Sequence, residues 1–295
     1  MRITLRSREK LTGTLFVLPS LVTLAAVVAL PLLWSLVVSF SDYTFLMPVI
    51  SRFVGFTNYR SAFTNQYFWN SLWVTLKFVV LVVSLEFVLG FAIALLLNRD
   101  IRFKGIYYGI LTIPMVMAPV AVGLIWKMLL HPQLGVVNYL ISLLGLGKID
   151  WLGTTRGALW SVLAVDIWQQ VSFMILVLLA GLVSLPNEPY EASRIDGAGP
   201  IQQFFSITLP LMRPVIATAI LIRVIFAFRT YDLIYVMTKG GPGVSTDILS
   251  YYIYRRTFMG LNVAEASAIS YVLLMIVLTM VVVLFRYLRG QGDNA

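Results

Sequence analysis

The chain contains no cysteine, and His131 is its one histidine among 295 residues. The first absence excludes disulfides, thiol nucleophiles and thiolate-held metals. With a single imidazole it also argues against a zinc or haem site. Charge is scarce as well. Asp, Glu, Lys and Arg make up 12% of the chain, hydrophobic residues make up 59%, and the mean hydropathy is +0.88. A soluble globular chain carries about 25% charged residues. Most side chains here therefore do not face water, and the usual division of length into soluble domains does not apply. A phosphate-binding loop of the form G-x-x-x-x-G-K-[ST] is missing too. Its nearest approach, LGLGKID around Lys148, has no Ser or Thr after the lysine. Low-complexity tracts, soluble domains and strong internal repeats are also missing.

What remains is an all-α integral membrane pattern. The stretch from Leu11 to Ser41 holds no charge. It is longer than the roughly 7–15 apolar residues of a signal peptide, so an uncleaved first helix is predicted. A spanning helix needs about 20 mostly apolar residues. Six candidate spans result, at 12–40, 70–97, 106–130, 157–184, 213–237 and 263–287. They form a transmembrane domain over 12–287, flanked by cytosolic ends at 1–11 and 288–295. The net charge of +9 is scattered in short groups between apolar runs, so it reads as membrane orientation and not as a nucleic-acid patch. With the N-terminus inside, the cytosolic segments hold Arg2, Arg6, Arg8, Lys10, Arg99, Arg102, Lys104, Arg194, Arg213, Arg286 and Arg289. The outer loops hold Arg52, Arg60, Lys148, Arg156, Lys239, Arg255 and Arg256. Eleven against seven places both termini in the cytosol. The outer loops are rich in Trp, Tyr, Asn and Gly, a composition that suits interfacial anchoring and partner docking alike.

The cytosolic segment 185–212 is neither apolar enough to span nor supplied with a reactive set. Pro186, Pro189, Glu188 and Glu191 suit a helix start near its positive end. PYEASRID gives about two helical turns, which Gly197, Gly199 and Pro200 should end. IQQFFSIT reads as a second short helix halted before Pro210. The prediction is a compact bracket between spans four and five.

Polar groups at membrane depth are costly and are functional candidates by default. In span four, Asp166, Gln169, Gln170 and Phe173 fall at i, i+3, i+4 and i+7, one face of a helix. In span five, Arg223, Phe226, Ala227 and Thr230 repeat that spacing. Asp166 lies ten residues past Arg156, about 15 Å inward from the outer side. Arg223 lies nine residues past Pro214, about 14 Å from the inner side, so both sit near the middle of a core about 30 Å thick. An Asp166–Arg223 ion pair could tether two helices. The same groups could accept and donate to sugar hydroxyls while a ring stacks on the sugar's apolar face. Lys77, Lys127 and Glu265 are placed near outer helix ends, where they can snorkel. Glu86 lies deeper and either pairs with a basic group or lines the path. Arg229 and Asp232 have the spacing of a local helix pair. Pro114 and Pro119 should kink span three.

Glu191-Ala192-Ser193, Asp196-Gly197-Ala198, Phe204, Ile207, Leu209-Pro210 and Pro214 resemble the EAA loop of bacterial ABC importer permeases. FVGFTNY, IDWLG, YDLIYVMTKGGPG and YYIYRRTF extend the resemblance, in order, over nearly the whole chain to the maltose-permease-like subunits of carbohydrate importers. Ser193 stands where the family has a second alanine. The resemblance implies a type I permease fold with six transmembrane helices. It implies a bacterial or archaeal cytoplasmic (inner) membrane location and a coupling helix formed by Tyr190, Glu191, Ala192, Ser193, Arg194, Ile195, Asp196, Gly197 and Ala198. The implied partners are a second related permease, a homodimer of cytosolic ATPase subunits and an external (periplasmic) solute-binding protein. This chain would hold no cofactor, metal or catalytic residue, and ATP with magnesium would be used by the ATPase. The substrate would sit on Asp166, Gln169, Gln170, Phe173, Arg223, Phe226, Ala227 and Thr230. A sugar, oligosaccharide or polyol is the expected cargo, with an anionic sugar derivative or a glycerol-phosphate-type compound as the alternative. An intramembrane enzyme would need a clustered reactive set, and a receptor or scaffold would move nothing across.

Overall fold

The structure, a computed structural model, describes residues 5–292, with side chains described at 14 and from 16 to 286. The side chains of the terminal segments 1–11 and 288–295 lie outside them, Arg2, Arg6, Arg8, Lys10 and Arg289 included. Helix α1 (Leu5–Leu24) passes through a π turn, Ala25–Ala29, into α2 (Leu30–Ser39). There follow α3 (Thr57–Thr64), α4 (Gln66–Leu97), α5 (Lys104–Val116), α6 (Pro119–Leu129), α7 (Val136–Leu143) and α8 (Thr155–Val183). Then come α9 (Glu188–Ile195), α10 (Pro200–Gln203), α11 (Leu209–Phe228), α12 (Asp232–Met237), α13 (Leu249–Tyr254) and α14 (Val263–Gly292). An isolated bridge between Ser41 and Phe53 is the β pairing among the described residues.

Five stretches are long and apolar enough to cross a membrane: Phe16–Ser39, Gln66–Leu97, Thr155–Val183, Pro200–Met237 and Val263–Arg286. A sixth exists if α5 and α6, bent by 98° at their junction, count as one span. The expected kink in 106–130 is therefore a full break. Met117 and Ala118 are extended, with ψ of 141° and 130°. Pro119 drives the residue before it out of the helical region and then opens α6, where its missing N–H costs nothing.

The expectation for span five also needs correction. The second bracket helix does not halt before Pro210. From Pro200 it continues through a π turn, Phe204–Thr208, into α11, with Leu209 N–H donating to the Phe204 carbonyl. The wider turn carries the chain past Pro210, which sits in the first turn of α11 and needs no donor. Nor is the span continuous to 237. After Phe228 the chain tightens, with Arg229 N–H on the Phe226 carbonyl and Thr230 N–H on that of Ala227. The Thr230 carbonyl is taken by the Ser250 hydroxyl at 2.5 Å, and α12 starts afresh.

The chain divides into two compact units. The larger comprises residues 66–252 and 273–295. In it Phe91, Ala94 and Leu97 of α4 pack with Met174, Ile175 and Leu178 of α8 and with Met212 and Ala219 of α11. Helices meet closely where a side chain is missing. A Cβ on Gly90 would lie 2.8 Å from Met174 Cγ, and one on Gly181 would lie 2.7 Å from Val215 Cγ1. The loop 131–151 is ordered by buried Asn138. Its amide donates to the Pro132 and Ile149 carbonyls, and its oxygen accepts from Ile149 N–H and Trp151 Nε1.

The smaller unit comprises residues 1–65 and 253–272. Asn58 Nδ2 closes the end of α2 by donating to the Ser39 and Ser41 carbonyls. Asp42 Oδ1 accepts the backbone N–H groups of Arg52 and Ser51, which hold its carboxyl below the usual range. Glu265 does not snorkel. It is 2% exposed, paired with Arg256 and bonded by Asn262 Nδ2.

Candidate functional site

A cavity of about 370 Å³ lies between α8, α11 and the two helix breaks. Asp166, Gln169, Gln170 and Phe173 all line it, so the face expected on span four exists. From span five Arg223, Phe226 and Thr230 line it. Ala227 does not. It is 1% exposed and packs with Val79 and Val83 of α4 and with Phe228, on the side of α11 turned to the core. Sequence reasoning missed Met115, Pro119, Arg229, Tyr231, Asp232 and Leu233. They reach the cavity because the breaks at Met117–Ala118 and Arg229–Tyr231 point inward, which a continuous helical period cannot express.

At the cavity wall three ionisable side chains converge. Arg223 is 2% exposed, Glu86 0% and Asp166 3%. Arg223 Nε donates to Glu86 Oε2 and Nη2 donates to Glu86 Oε1 at 2.9 Å. Nη2 also donates to Asp166 Oδ2. One guanidinium thus joins α4, α8 and α11 at a single level, as the depth argument required of Asp166 and Arg223. Glu86 pairs, and it does not line the cavity. Forked geometry and mutual neutralisation are what let such charges persist away from water.

Gln169 is 1% exposed, and its Nε2 donates to the Met117 carbonyl at 2.9 Å. Ser172 donates to the Leu111 carbonyl. Gln169 therefore holds a carbonyl that the break in span three leaves without a helical partner. Lys127 donates to the Val236 carbonyl at 3.0 Å and fastens α6 to α12. Lys77 lies over the Trp73 ring, 5.1 Å from its centre. The local Arg229–Asp232 pair does not form. Three-residue spacing brings side chains together only on a helix, and the chain leaves the helix between these two positions. Among the described residues no group of three His, Cys, Asp or Glu side chains is placed to hold a metal ion.

At the other end of α8 the first arm of the bracket has the predicted form. Pro189 opens α9, and Gly197, with φ of +80°, turns the chain after it. Ser193 accepts from Gln203 Nε2 at 3.0 Å and donates to the Tyr190 carbonyl. Tyr190 OH meets Thr208 Oγ1 at 2.9 Å. The serine that departs from the family's alanine thus pins the two arms together. Glu191, Ala192, Arg194 and Asp196 are exposed, Ala198 is half-buried, and Ile195 is 88% exposed.

A family model described as binding-protein-dependent transport system inner membrane component matches residues 86–290. The trehalose/maltose transport system permease protein MalF of Thermococcus litoralis is 36% identical, over 98% of this chain and 97% of the relative. The sulfoquinovosyl glycerol transport system permease protein SmoG of Agrobacterium fabrum is 33% identical, over 96% and 92%. The sn-glycerol-3-phosphate transport system permease protein UgpA of Pectobacterium atrosepticum is 34% identical, over 82% of each chain. The fold matches a crystal structure of a bacterial ABC transporter involved in the import of the acidic polysaccharide alginate. The TM-score is 0.85, with 22% identity over 96% of each chain. It matches equally a complex of the alginate transporter with a periplasmic protein carrying an alginate pentasaccharide, with a TM-score of 0.83.

Proposed function

The chain belongs to the inner membrane components of binding-protein-dependent transport systems, and we propose that it carries a sugar through the cavity between α8 and α11. It is a multi-pass permease subunit of an ABC importer, not an enzyme. Cargo would arrive from an external binding protein and meet Asp166, Gln170, Phe173, Phe226 and Thr230, with Gln169 and Arg223 holding the wall in shape. Carboxylate and amide oxygens accept hydroxyl protons, amide and guanidinium groups donate, and the rings cover the apolar face of a pyranose. A second, related permease would close the open side.

Energy would come from a pair of cytosolic ATPase subunits that use ATP and magnesium. The observation that carries this reading is the bracket. It joins the inner ends of the two helices that line the cavity, and it presents apolar Ile195 and Ile201, 88% and 76% exposed, where a partner could cover them. Both termini would then be cytosolic, as the lysine and arginine bias suggests. Relatives named for trehalose and maltose, and for a phosphate-bearing cargo, leave the charge of the substrate to the chemistry of the cavity.

The test is assembly of the importer with Ile195→Asp and Ile201→Asp in this chain. Loss of the ATPase subunits from the purified complex, and of ATP-dependent uptake, is expected with the permease still folded. Retention of the ATPase in both variants would refute the coupling role.

A further inference from the structure

The relation between charge and geometry in the cavity reaches further than a general sugar site. Arg223, the cation that sequence reasoning put against the cargo, is committed elsewhere. Its Nε and Nη2 donors are engaged by Glu86 and Asp166, and it is 2% exposed. A second cation enters the same cavity from the break in span five. Arg229 ends α11 and Asp232 begins α12. Both line the cavity, and among the described residues neither makes an ion pair.

The formal charges that line the cavity are Asp166, Arg223, Arg229 and Asp232, which cancel. An anionic cargo would leave water for a site with no surplus of positive charge to offset its lost hydration. An uncharged polyol meets better terms. The Arg229 fork can donate to two neighbouring hydroxyls, and Asp232 can accept from a third.

We infer that Arg229 and Asp232, presented by the break after α11, are specificity residues that select an uncharged polyhydroxylated cargo and exclude anionic ones. The inference rests on the sugar-importer reading, and one experiment separates the failure of each. The assembled importer, in vesicles with its binding protein and ATP, is offered two pools together. One contains neutral mono- to tetrasaccharides and polyols, the other sugar phosphates and sulfonates. The vesicle contents are read by mass spectrometry.

The wild type should accumulate members of the neutral pool, at least about tenfold over the anionic pool. Arg229→Gln should raise KM for the accumulated sugar about tenfold or more with ATP hydrolysis retained. Arg229→Lys keeps the charge without the fork and should show the same direction in an assembled complex, so a folding defect in the first variant is not mistaken for specificity. Asp232→Asn removes one negative charge and should let anionic members in, narrowing the ratio severalfold. Accumulation of anionic sugars by the wild type would overturn the inference and leave the importer reading standing. Accumulation of neither pool by a complex that hydrolyses ATP would overturn the importer reading itself. Wild-type KM and selectivity in all three variants would remove Arg229 and Asp232 from the site.

Discussion

Replacing Arg223 by Met tests whether the buried ion cluster holds the transmembrane helices together. The substitution deletes three hydrogen bonds and leaves two carboxyl groups, 0% and 3% exposed, facing one another without a cation. Removing one partner of a buried pair costs about 3–5 kcal/mol, most of it the penalty on the charge left behind. At about 2–4 °C per kcal/mol for a chain of this class, the thermal midpoint should fall by roughly 6–20 °C. The comparison that gives the number meaning is the triple variant Glu86→Gln, Asp166→Asn, Arg223→Met. It removes all charge at similar volume and should recover most of the loss, ending within about 2 kcal/mol of wild type. Glu86→Gln alone should cost less than Arg223→Met, because the guanidinium keeps Asp166. Tryptophan fluorescence during heating in detergent, on monodisperse protein, supplies the midpoints. A midpoint for Arg223→Met within about 2 °C of wild type, or a triple variant as unstable as the single one, would show that the cluster does not bear the load assigned to it.

Gln169→Leu should cost about 1–3 kcal/mol by orphaning the Met117 carbonyl at the break in span three. Faster amide exchange around 117–122 would mark it, whereas an effect confined to sugar KM would return Gln169 to the cargo. Asp42 makes a pH prediction in the loop after α2. Its folded value lies below the ordinary 3.8, chiefly because it accepts from the Arg52 backbone. The stabilisation is therefore fully present above that ordinary value and fades as pH falls through the lowered one. Exchange at Ser51 and Arg52, followed by mass spectrometry from about pH 5 to about pH 2.5 and corrected for intrinsic rates, should lose protection in that lower range. Asp42→Asn should lose the dependence, and a flat profile in the wild type would contradict the assignment.

The spans were legible because the absence of charge over some twenty residues has few physical meanings. The bracket was legible because Pro189 and Gly197 act locally, one by fixing φ and the other by accepting a positive φ of +80°. The polar face of span four was legible as well, since α8 is regular from Asp166 to Phe173. What stayed hidden depends on direction in space. Pro114 and Pro119 signal a disturbance in span three, yet nothing in their spacing distinguishes a slight kink from 98°. Pro210 reads as a stop, and a π turn at Phe204–Thr208 carries the helix past it. Ala227 has the spacing of a cavity residue but sits on the core side of α11, beyond which helical periodicity no longer places residues. Glu86 lies 137 positions from Arg223, and only the packing of α4 on α11 joins them.

The positions of the rigid and the broken parts bear on how the bracket could work. From Pro200 to Phe228 the chain is one helix, interrupted in register but not in continuity by the π turn. Tyr190–Thr208 and Ser193–Gln203 fix α9 to its root. From Pro200 to Arg223 this rod is about 35 Å long at 1.5 Å per residue. A displacement at the bracket end would therefore reach Arg223 with little lost on the way, and Arg223 is bolted to α4 and α8. Pro214 costs α11 one helical bond, and the backbone leaves the helix only at Arg229–Tyr231, inside the cavity lining. The rod thus stays helical up to the cavity and changes direction at it. Motion imposed at the bracket would be spent on changing the relation of Arg229 and Asp232 to the face formed by Asp166, Gln170 and Phe173, the change that release of a bound sugar would need under the proposed function.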